Sequence, residues 1–255
     1  MERGIKWSII IPLFQQMDLV PWHFKFYNAL STIRNDFEVI FVDDGSSDNT
    51  RKYFENSNAK TLFPYDYSWE EDKGFTVAHA KNRGIRKASG EFILLIDGDT
   101  FLDNNTLKAY DHLKMQNDVV YFGKRYVMKI KDLDKALHYG FPTVVENKQD
   151  FRGFLQDVPP APFQVFSGAN FVIPSRLAKE LEYAPDDWDT YGLEDYWMCI
   201  NYLIHGKKFQ AVNDSIAYHC ETPARLGHPR SIERLNAFIK EHEAELQQLG
   251  GVRYF

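Results

Sequence analysis

Two aspartates separated by one glycine, Asp97-Gly98-Asp99, follow a run of apolar residues at 92–96. A short apolar run of this kind, preceded by Gly90, predicts a strand that is buried on both faces. At the carboxyl end of a parallel strand, the chain leaves the sheet where ligands usually bind. Two carboxylates there, with no cysteine or histidine cluster beside them, suit Mg²⁺ or Mn²⁺, which could hold a diphosphate. An ordinary Asp-Gly turn explains the same residues equally well.

The N-terminal half predicts the parallel sheet that such a site requires. Apolar runs alternate with stretches of helical spacing, which favours a parallel α/β sheet of the Rossmann type. The residues at 64–73, rich in aromatic and acidic side chains, are interpreted as a loop. Strands are predicted at 7–12, 37–42, 60–63, 90–96 and 118–122, and helices at 18–33, 74–88 and 102–115.

The C-terminal half has a weaker pattern. Residues 123–162 carry many charges and end in a cluster with Pro159, Pro160 and Pro162. We expect a long excursion beside the active site, because long loops in compact domains are usually functional or disordered. A strand pair or bend is expected at 163–173. Helices are predicted at 174–181, 193–205 and 231–249, and two short strands at 209–212 and 216–219.

Composition limits the class of protein. The 255 residues are 44% hydrophobic and 15% aromatic, as in globular proteins. The net charge of −6 argues against a general nucleic-acid surface. Cys199 and Cys220 provide no disulfide framework and are expected to be reduced thiols in a cytoplasmic protein. No apolar run approaches the roughly 20 residues that span a bilayer, and no signal-peptide core is present at the N-terminus.

Several motifs in order resemble those of family 2 glycosyltransferases with the GT-A fold. They are Ser-Ile-Ile-Ile-Pro at 8–12, Val-Asp-Asp-Gly-Ser-Ser-Asp at 42–48, Ala-Lys-Asn-Arg-Gly-Ile at 80–85 and Leu-Ile-Asp-Gly-Asp at 95–99. The later segments 167–171 and 186–195 are similar to the acceptor side of chondroitin-polymerase-type and β-1,4-galactosyltransferase-like enzymes. Each motif alone is weak, but their order and spacing together form a specific signal.

The resemblance implies a metal-bound nucleotide sugar at the Asp-Gly-Asp turn. Asp99 would contact Mn²⁺ or Mg²⁺ on the diphosphate, and Asp97 would contact the metal or hydroxyl groups of the ribose or sugar. His219 stands where relatives carry a third metal ligand, and an imidazole ligand would favour Mn²⁺. A lone histidine also has an ordinary structural interpretation.

The resemblance also assigns nucleotide contacts. Asp44 would accept the uracil N–H, and Gly98 would lie against the cofactor. Pro12 and Phe14 would line the nucleotide pocket, although a core position is an equal alternative for Phe14. Lys81 would meet the base or the phosphates, where the family often has arginine, and it offers a point charge without a bidentate fork.

Asp195 is the candidate catalytic base. An inverting transfer needs a general base that takes the proton from the acceptor hydroxyl. A helix N-terminus favours the ionised form, whereas the adjacent Glu194 raises the proton affinity. The resemblance assigns Asp195 as base and Glu194 as the residue that orients the acceptor. The simpler alternative is acidic enrichment of a first helical turn.

Further residues are candidates for contacting the sugars. Trp188 is expected to be the acceptor platform, because aromatic faces stack on the C–H faces of sugars. Ser167, Gly168 and Asn170 would lie against the donor sugar, and a structural glycine turn remains an alternative for them.

These observations predict one GT-A domain over 1–255, with a mainly parallel sheet. Its parts would be a nucleotide-binding half at 1–122, an acceptor-binding half at 123–220 and a helical extension at 221–255. The predicted activity is metal-dependent, inverting transfer from a UDP-sugar to a hydroxyl of a glycan or other acceptor. The alternatives are a retaining GT-A enzyme, a nucleotidyltransferase and a non-catalytic carbohydrate-binding domain. The C-terminal Arg-Tyr-Phe leaves peripheral membrane association open.

Overall fold

The structure is a computed structural model that describes residues 4–56, 61–145, 169–220 and 228–249. Within these ranges one continuous sheet of eight strands forms the centre of the molecule. Its strands are β1 Trp7–Leu13, β2 Phe37–Asp43, β3 Tyr65–Trp69, β4 Phe92–Leu95, β5 Thr100–Leu102, β6 Val119–Met128, β7 Phe171–Pro174 and β8 Lys208–Cys220. The helices are α1 Val20–Ser31, α2 Thr50–Asn56, α3 Val77–Lys87, α4 Asn104–Asp111, α5 Leu133–Tyr139, α6 Ser175–Leu181, α7 Glu194–Ile204, α8 Pro229–Glu241 and α9 Glu243–Gln248.

The strand order is β3-β2-β1-β4-β7-β6-β8-β5. The pairs among β3, β2, β1 and β4 are all parallel. On the other side β7 runs antiparallel to both β4 and β6, and β5 runs antiparallel to β8. The prediction of a mixed, mainly parallel sheet flanked by helices is confirmed.

Apolar residues on both faces of the sheet explain why β1 is a continuous hydrophobic run. Ile10 lies in a core cluster with residues of α3, α6 and α7, whereas Ile9 and Ile11 pack with residues of α1 and α4. Every residue of β1 is buried. Helices on both faces are typical of parallel sheets and leave no solvent-facing side that would require polar residues.

The third strand differs from its prediction. Residues 61–63 belong to no strand, and the strand lies at Tyr65–Trp69, where a loop was expected. Its aromatic residues alternate with polar ones, as on a half-buried edge strand. Tyr67, for example, stacks on Phe54 of α2 with ring centroids 4.0 Å apart. Residue 60 lies outside the described residues.

The C-terminal half is more regular than predicted. Strand β6 continues to Met128, and α5 with two short 3₁₀ turns follows it inside the expected excursion. The two short strands expected at 209–212 and 216–219 form one strand, β8, with a register irregularity opposite Gly123 and Lys124. The expected helix at 102–115 is shorter than predicted, because Leu102 ends β5 and α4 covers only Asn104–Asp111. The terminal helix is divided between α8 and α9 at His242. Across the described ranges, none of the helices is both long and apolar enough to cross a membrane.

Replacing Gly84 by alanine tests how closely α3 approaches the sheet. A β-carbon there would lie 2.5 Å from Cγ2 of Ile10 and 3.1 Å from Cγ2 of Val42. Overpacking of this kind costs about 1–3 kcal/mol, and the helix preference for alanine offsets about 1 kcal/mol of it. We therefore expect Gly84→Ala to lower the free energy of unfolding by up to about 2 kcal/mol. Urea unfolding followed by circular dichroism measures the change. Gly4→Ala, whose β-carbon meets no atom within 4 Å, is the control; an undiminished stability of Gly84→Ala would contradict the close packing.

Candidate active site

The turn after β4 carries Asp97, Gly98 and Asp99, and two other elements hold it in place. Nε2 of His23, on α1, donates to the Gly98 carbonyl at 2.8 Å. Burial lowers the pKa of His23 to about 4, so this ring is neutral and acts as a donor here. A β-carbon at Gly98 would lie 2.5 Å from the carbonyl oxygen of Pro12. Glycine is therefore required where the turn passes β1, and Pro12 meets that turn through its backbone.

Strand β5 brings His219 to Asp99, although 120 positions separate them in the numbering. Thr100 lies opposite His219 in the pairing of β5 with β8, and the Cys220 N–H donates to the Asp99 carbonyl at 2.8 Å. As a result Nε2 of His219 lies 3.2 Å from Oδ2 of Asp99. Within the described ranges, Oδ1 of Asp99 and Nδ1 of His219 are buried without a hydrogen-bond partner.

This pair offers a carboxylate and an imidazole with unused polar atoms, which is the donor chemistry that Mn²⁺ accepts. No cluster of three or more His, Cys, Asp or Glu side chains in a metal-binding arrangement occurs in the described part of the chain. The chemistry of Asp99 and His219 thus fits part of the ligand set of a divalent cation, and their role as metal ligands stays a prediction. The assignment of Asp97 as a further ligand stays a prediction.

Asp97 instead meets a buried cation. Nζ of Lys81, on α3, lies 3.1 Å from Oδ1 of Asp97, and Lys81 is only 1% exposed. Burial would raise the pKa of Asp97, but the charges of Lys81 and Arg125 outweigh it and hold that pKa below its usual value. Conversely, burial would lower the pKa of Lys81, yet the surrounding carboxylates raise it. The ammonium therefore stays charged and faces protein groups, whereas the sequence predicted a contact with the base or phosphates.

Glu194 and Asp195 form the first turn of α7, as the sequence predicts. The chain enters this helix through Gly192 and Leu193, which have φ angles of 88° and 70°. A leucine in the left-handed region of backbone angles is strained, and such strain is common near functional sites. The two positive φ angles turn the chain so that Glu194 is buried and Asp195 is partly exposed.

The adjacent carboxyls have different environments. Burial, and then the charge of Asp195, raise the pKa of Glu194 to about 8. Its Oε2 is buried and, among the described residues, has no hydrogen-bond partner. At neutral pH Glu194 therefore holds a proton, whereas Asp195 lies in a partly exposed position of the same helical turn.

A buried tyrosine links this pair to the aspartate turn. The hydroxyl of Tyr183 lies 3.0 Å from Nζ of Lys81 and makes a short hydrogen bond to Oδ1 of Asp195. The side chain of Asn82 holds the same segment, accepting from the Tyr183 N–H and donating to the Ala184 carbonyl, both at 2.7 Å. Consecutive residues of α3 therefore connect the end of β4 with the start of α7.

The nucleotide-side candidates lie at the end of β2 and in the loop after β1. Asp44 is 8% exposed and accepts from both the backbone N–H and the hydroxyl of Thr76. Burial raises the pKa of Asp44, and the Thr76 bonds oppose that shift. Asp43 accepts from Tyr67 at 2.7 Å and serves the local turn. Phe14 is 46% exposed, which excludes its core alternative.

Two sugar-contact predictions are wrong. Trp188 is 1% exposed, with the guanidinium of Arg234 over its ring at 4.9 Å, so it is a core residue without an open face for a sugar. Asn170 is fully buried, and its amide bonds Tyr110, the Lys124 carbonyl and Ser215. This amide satisfies backbone groups at the irregularity between β6 and β8. The other two candidates, at 167 and 168, lie outside the described residues.

Sequence reasoning did not find three residues of this region. His23 sits on the buried face of α1, where it reads as one more core position. Arg125 is a buried cation in β6, inside a stretch that was expected to be loop. Tyr183 follows α6 and meets Lys81 across 102 positions of sequence.

Comparison with known proteins places these features in a family. The sequence model described as "Glycosyl transferase family 2" matches residues 8–181. A chondroitin synthase of Escherichia coli is 24% identical over 243 residues, which cover 86% of this chain and 35% of that protein. A hyaluronan synthase of Pasteurella multocida is 23% identical over 216 residues, covering 74% and 22%. The chain thus spans about a third or less of these relatives.

Solved structures show the same fold. The Staphylococcus aureus TarS fragment 1-349 in complex with UDP-GlcNAc superposes with a TM-score of 0.64 at 18% identity, covering 93% of this chain and 66% of that one. A mannosyltransferase of Pyrobaculum calidifontis in complex with GDP-Man and Mn²⁺ has a TM-score of 0.58 at 20% identity, covering 95% and 64%.

The likeness identifies the central sheet as that of the GT-A glycosyltransferases, as the motif order predicts. The family match spans more than half of the chain and includes β2, which ends just before Asp44, and β4, which precedes the Asp97–Asp99 turn. The chain therefore belongs to glycosyl transferase family 2.

Proposed function

We propose that this chain transfers a sugar from a UDP-sugar to a hydroxyl group of a glycan, with inversion and with a divalent cation. The observation that carries the proposal is the proximity of two acidic centres with different environments. Asp99 with His219 forms one centre, and Glu194 with Asp195 forms the other. A chain of contacts leads from the aspartate turn to α7, because Nζ of Lys81 lies 3.1 Å from Oδ1 of Asp97 and 3.0 Å from the hydroxyl of Tyr183, which donates to Asp195.

On the donor side, Asp99 and His219 would hold Mn²⁺ or Mg²⁺. The cation, when bound, would neutralise charge on the nucleoside diphosphate as it leaves. Asp44 would accept the base N–H, with exposed Phe14 beside the nucleotide. A UDP donor is supported by TarS, whose structure contains UDP-GlcNAc, although the Pyrobaculum enzyme contains GDP-Man.

On the acceptor side, Asp195 would act as the general base. The acceptor oxygen attacks the anomeric carbon and gives its proton to Asp195, while the bond from that carbon to the diphosphate breaks and its electron pair leaves with UDP. Glu194, protonated at neutral pH, would donate a hydrogen bond to a sugar hydroxyl. One carboxyl would thus bind and the other would accept the proton.

The donor and acceptor roles assign different parts of the chain to the two substrates. We assign residues 1–122 to the nucleotide and 123–220 to the acceptor, in one domain, with 221–255 as a helical extension. Helix α8 supports this assignment, because Arg234 pairs with Asp187 at 2.9 Å and Ser231 bonds Thr190 at 2.7 Å, just before α7. A glycan acceptor is supported by the relatives named chondroitin synthase and hyaluronan synthase.

Loss of the Asp99 carboxylate tests the donor site. Wild-type protein with Mn²⁺ should release UDP slowly from one member of a panel of UDP- and GDP-sugars, measured by a coupled nucleotide assay. We expect Asp99→Asn to lower this release at least about 100-fold and to remove the joint stabilisation by Mn²⁺ and UDP in thermal unfolding, because bound ligand stabilises the folded state.

Asp118→Asn is the matched control, since Asp118 is a half-exposed carboxylate at the opposite, amino end of β6. It should leave both measurements unchanged. Absence of nucleotide-sugar turnover and of UDP binding in the wild type would contradict the proposed function.

The two carboxyls of α7 should respond differently to amide substitution. We expect Asp195→Asn to reduce transfer to an acceptor by about 10²–10⁴-fold, because a general base is lost, while UDP and Mn²⁺ bind as before. Glu194→Gln should retain transfer within about tenfold at pH 7, since a protonated carboxyl and an amide both donate. Initial rates and calorimetry measure these effects. Proton NMR of the product should show an inverted anomeric centre, and retention would contradict the role of Asp195.

The raised pKa of Glu194 should also make the free energy of unfolding depend on pH. Its pKa is about 8 in the folded protein and ordinarily 4.5, so between these values the folded state binds more protons than the unfolded state. The contribution of Glu194 to the free energy of unfolding should therefore be greatest near or below pH 4.5, and it should fall as the pH rises to 8. Urea unfolding at several pH values should show a shallower fall for Glu194→Gln. Glu55→Gln, at an exposed site of α2, should follow the wild type.

A further inference from the structure

Tyr183 makes a contact that the reaction outlined above does not use. Its side chain is fully buried in the core cluster that contains α3, α6 and α7. Nevertheless its hydroxyl touches two charged groups, Nζ of Lys81 and Oδ1 of Asp195. A buried tyrosine usually satisfies its hydroxyl with one local partner, so this placement between a cation and the candidate base requires an explanation.

Hydrogen-bond chemistry fixes the direction of this chain of contacts. The ammonium of Lys81 can only donate, so the oxygen of Tyr183 accepts from it. The hydroxyl has one proton, which must then point to Oδ1 of Asp195. Burial, with the nearby carboxylates, raises the pKa of Tyr183 well above its usual value, so the tyrosine keeps that proton. The hydroxyl is therefore a fixed donor to the carboxylate.

Neighbouring residues hold both the backbone and the side chain of Tyr183. Asn82 accepts from its backbone N–H at 2.7 Å. Lys81, whose Nζ lies 4.4 Å from the centre of the tyrosine ring, is itself anchored by Asp97 at 3.1 Å. With the backbone, the ring and the hydroxyl all in contact, the donor to Asp195 cannot turn away without breaking several buried interactions.

We propose that Tyr183 is a positioning residue, whose hydroxyl is oriented by Lys81 and holds Oδ1 of Asp195 so that the carboxylate is aimed at the acceptor hydroxyl. This inference rests on the proposed function, in which Asp195 is the base. Because Lys81 also binds Asp97, the orientation of the base is tied to the turn that would bind the donor.

Removal of one hydroxyl tests the proposal. Tyr183→Phe keeps the ring and loses the contact with Asp195. We expect kcat for transfer to fall about 10–100-fold, since a small misplacement of a reacting group is this costly, with the KM for the donor and the calorimetric binding of UDP with Mn²⁺ unchanged.

Tyr202→Phe is the matched control. Tyr202 is also fully buried in the same cluster, and its hydroxyl donates to the Glu182 carbonyl at 3.0 Å, next to Tyr183 in the sequence. This variant also loses one buried tyrosine hydroxyl, which contacts the residue next to Tyr183, and it should keep kcat within about twofold. Equal losses of kcat in the two variants would mean that Tyr183 is only structural and would overturn the proposal.

A double-mutant cycle shows whether Tyr183→Phe lowers the rate of transfer through Asp195 or by another route. If Tyr183 acts through that carboxylate, Tyr183→Phe should change the residual rate of Asp195→Asn by less than about twofold, because interacting residues are non-additive. The same 10–100-fold loss in both backgrounds would overturn the proposal.

Crystal structures of wild type and Tyr183→Phe provide a readout that does not need turnover. The proposal expects the Asp195 carboxylate to rotate or to lose its single orientation in the variant, and an unchanged carboxylate would overturn it. A wild-type protein that transfers no sugar would instead contradict the proposed function, and the crystallographic comparison would still decide the positioning role.

Discussion

A lysine ammonium buried among carboxylates is the interaction on which the rest of the site depends. Placing a charge in the protein interior costs several kcal/mol unless it is paired. Burial alone would lower the pKa of Lys81, but attraction to carboxylates, first Asp97 and then Asp195, outweighs it. These carboxylates come from the turn after β4 and from the first turn of α7. One cation therefore fixes two distant parts of the chain relative to each other, and removing it would leave their negative charges to repel.

The local environment gives different charge partners and exposure to carboxyl groups that lie close together in the sequence. Asp97 pairs with a buried cation, whereas Asp99 lies beside a histidine and keeps an oxygen without a hydrogen-bond partner among the described residues. Likewise, Glu194 is buried and keeps a proton to about pH 8, whereas Asp195 is partly exposed. Separating the proton affinities of neighbouring carboxyls is a common way to divide acid and base roles.

Helix α3 links these environments because its successive residues face different neighbours. Gly84 allows the helix to approach β1 and β2 closely. Lys81 and Asn82, both buried, reach the turn after β4 and the segment after α6. The motif at 80–85 therefore packs the helix, pairs a charge and anchors a distant loop. Its position beside the central strands lets these side chains reach both the turn after β4 and the segment after α6.

The sequence by itself determined the fold class, the family and the positions of β1, β2 and β4, because each of these buried strands is a local apolar run and the acidic motifs follow two of them. It also placed Glu194 and Asp195 in a first helical turn. Only the tertiary structure decided that His219 meets Asp99 through β5, that Trp188 and Asn170 are buried, and that Tyr183 joins Lys81 to Asp195. Burial and hydrogen-bond partners depend on residues brought together from far along the chain, and local residue types carry no record of which distant groups will surround them.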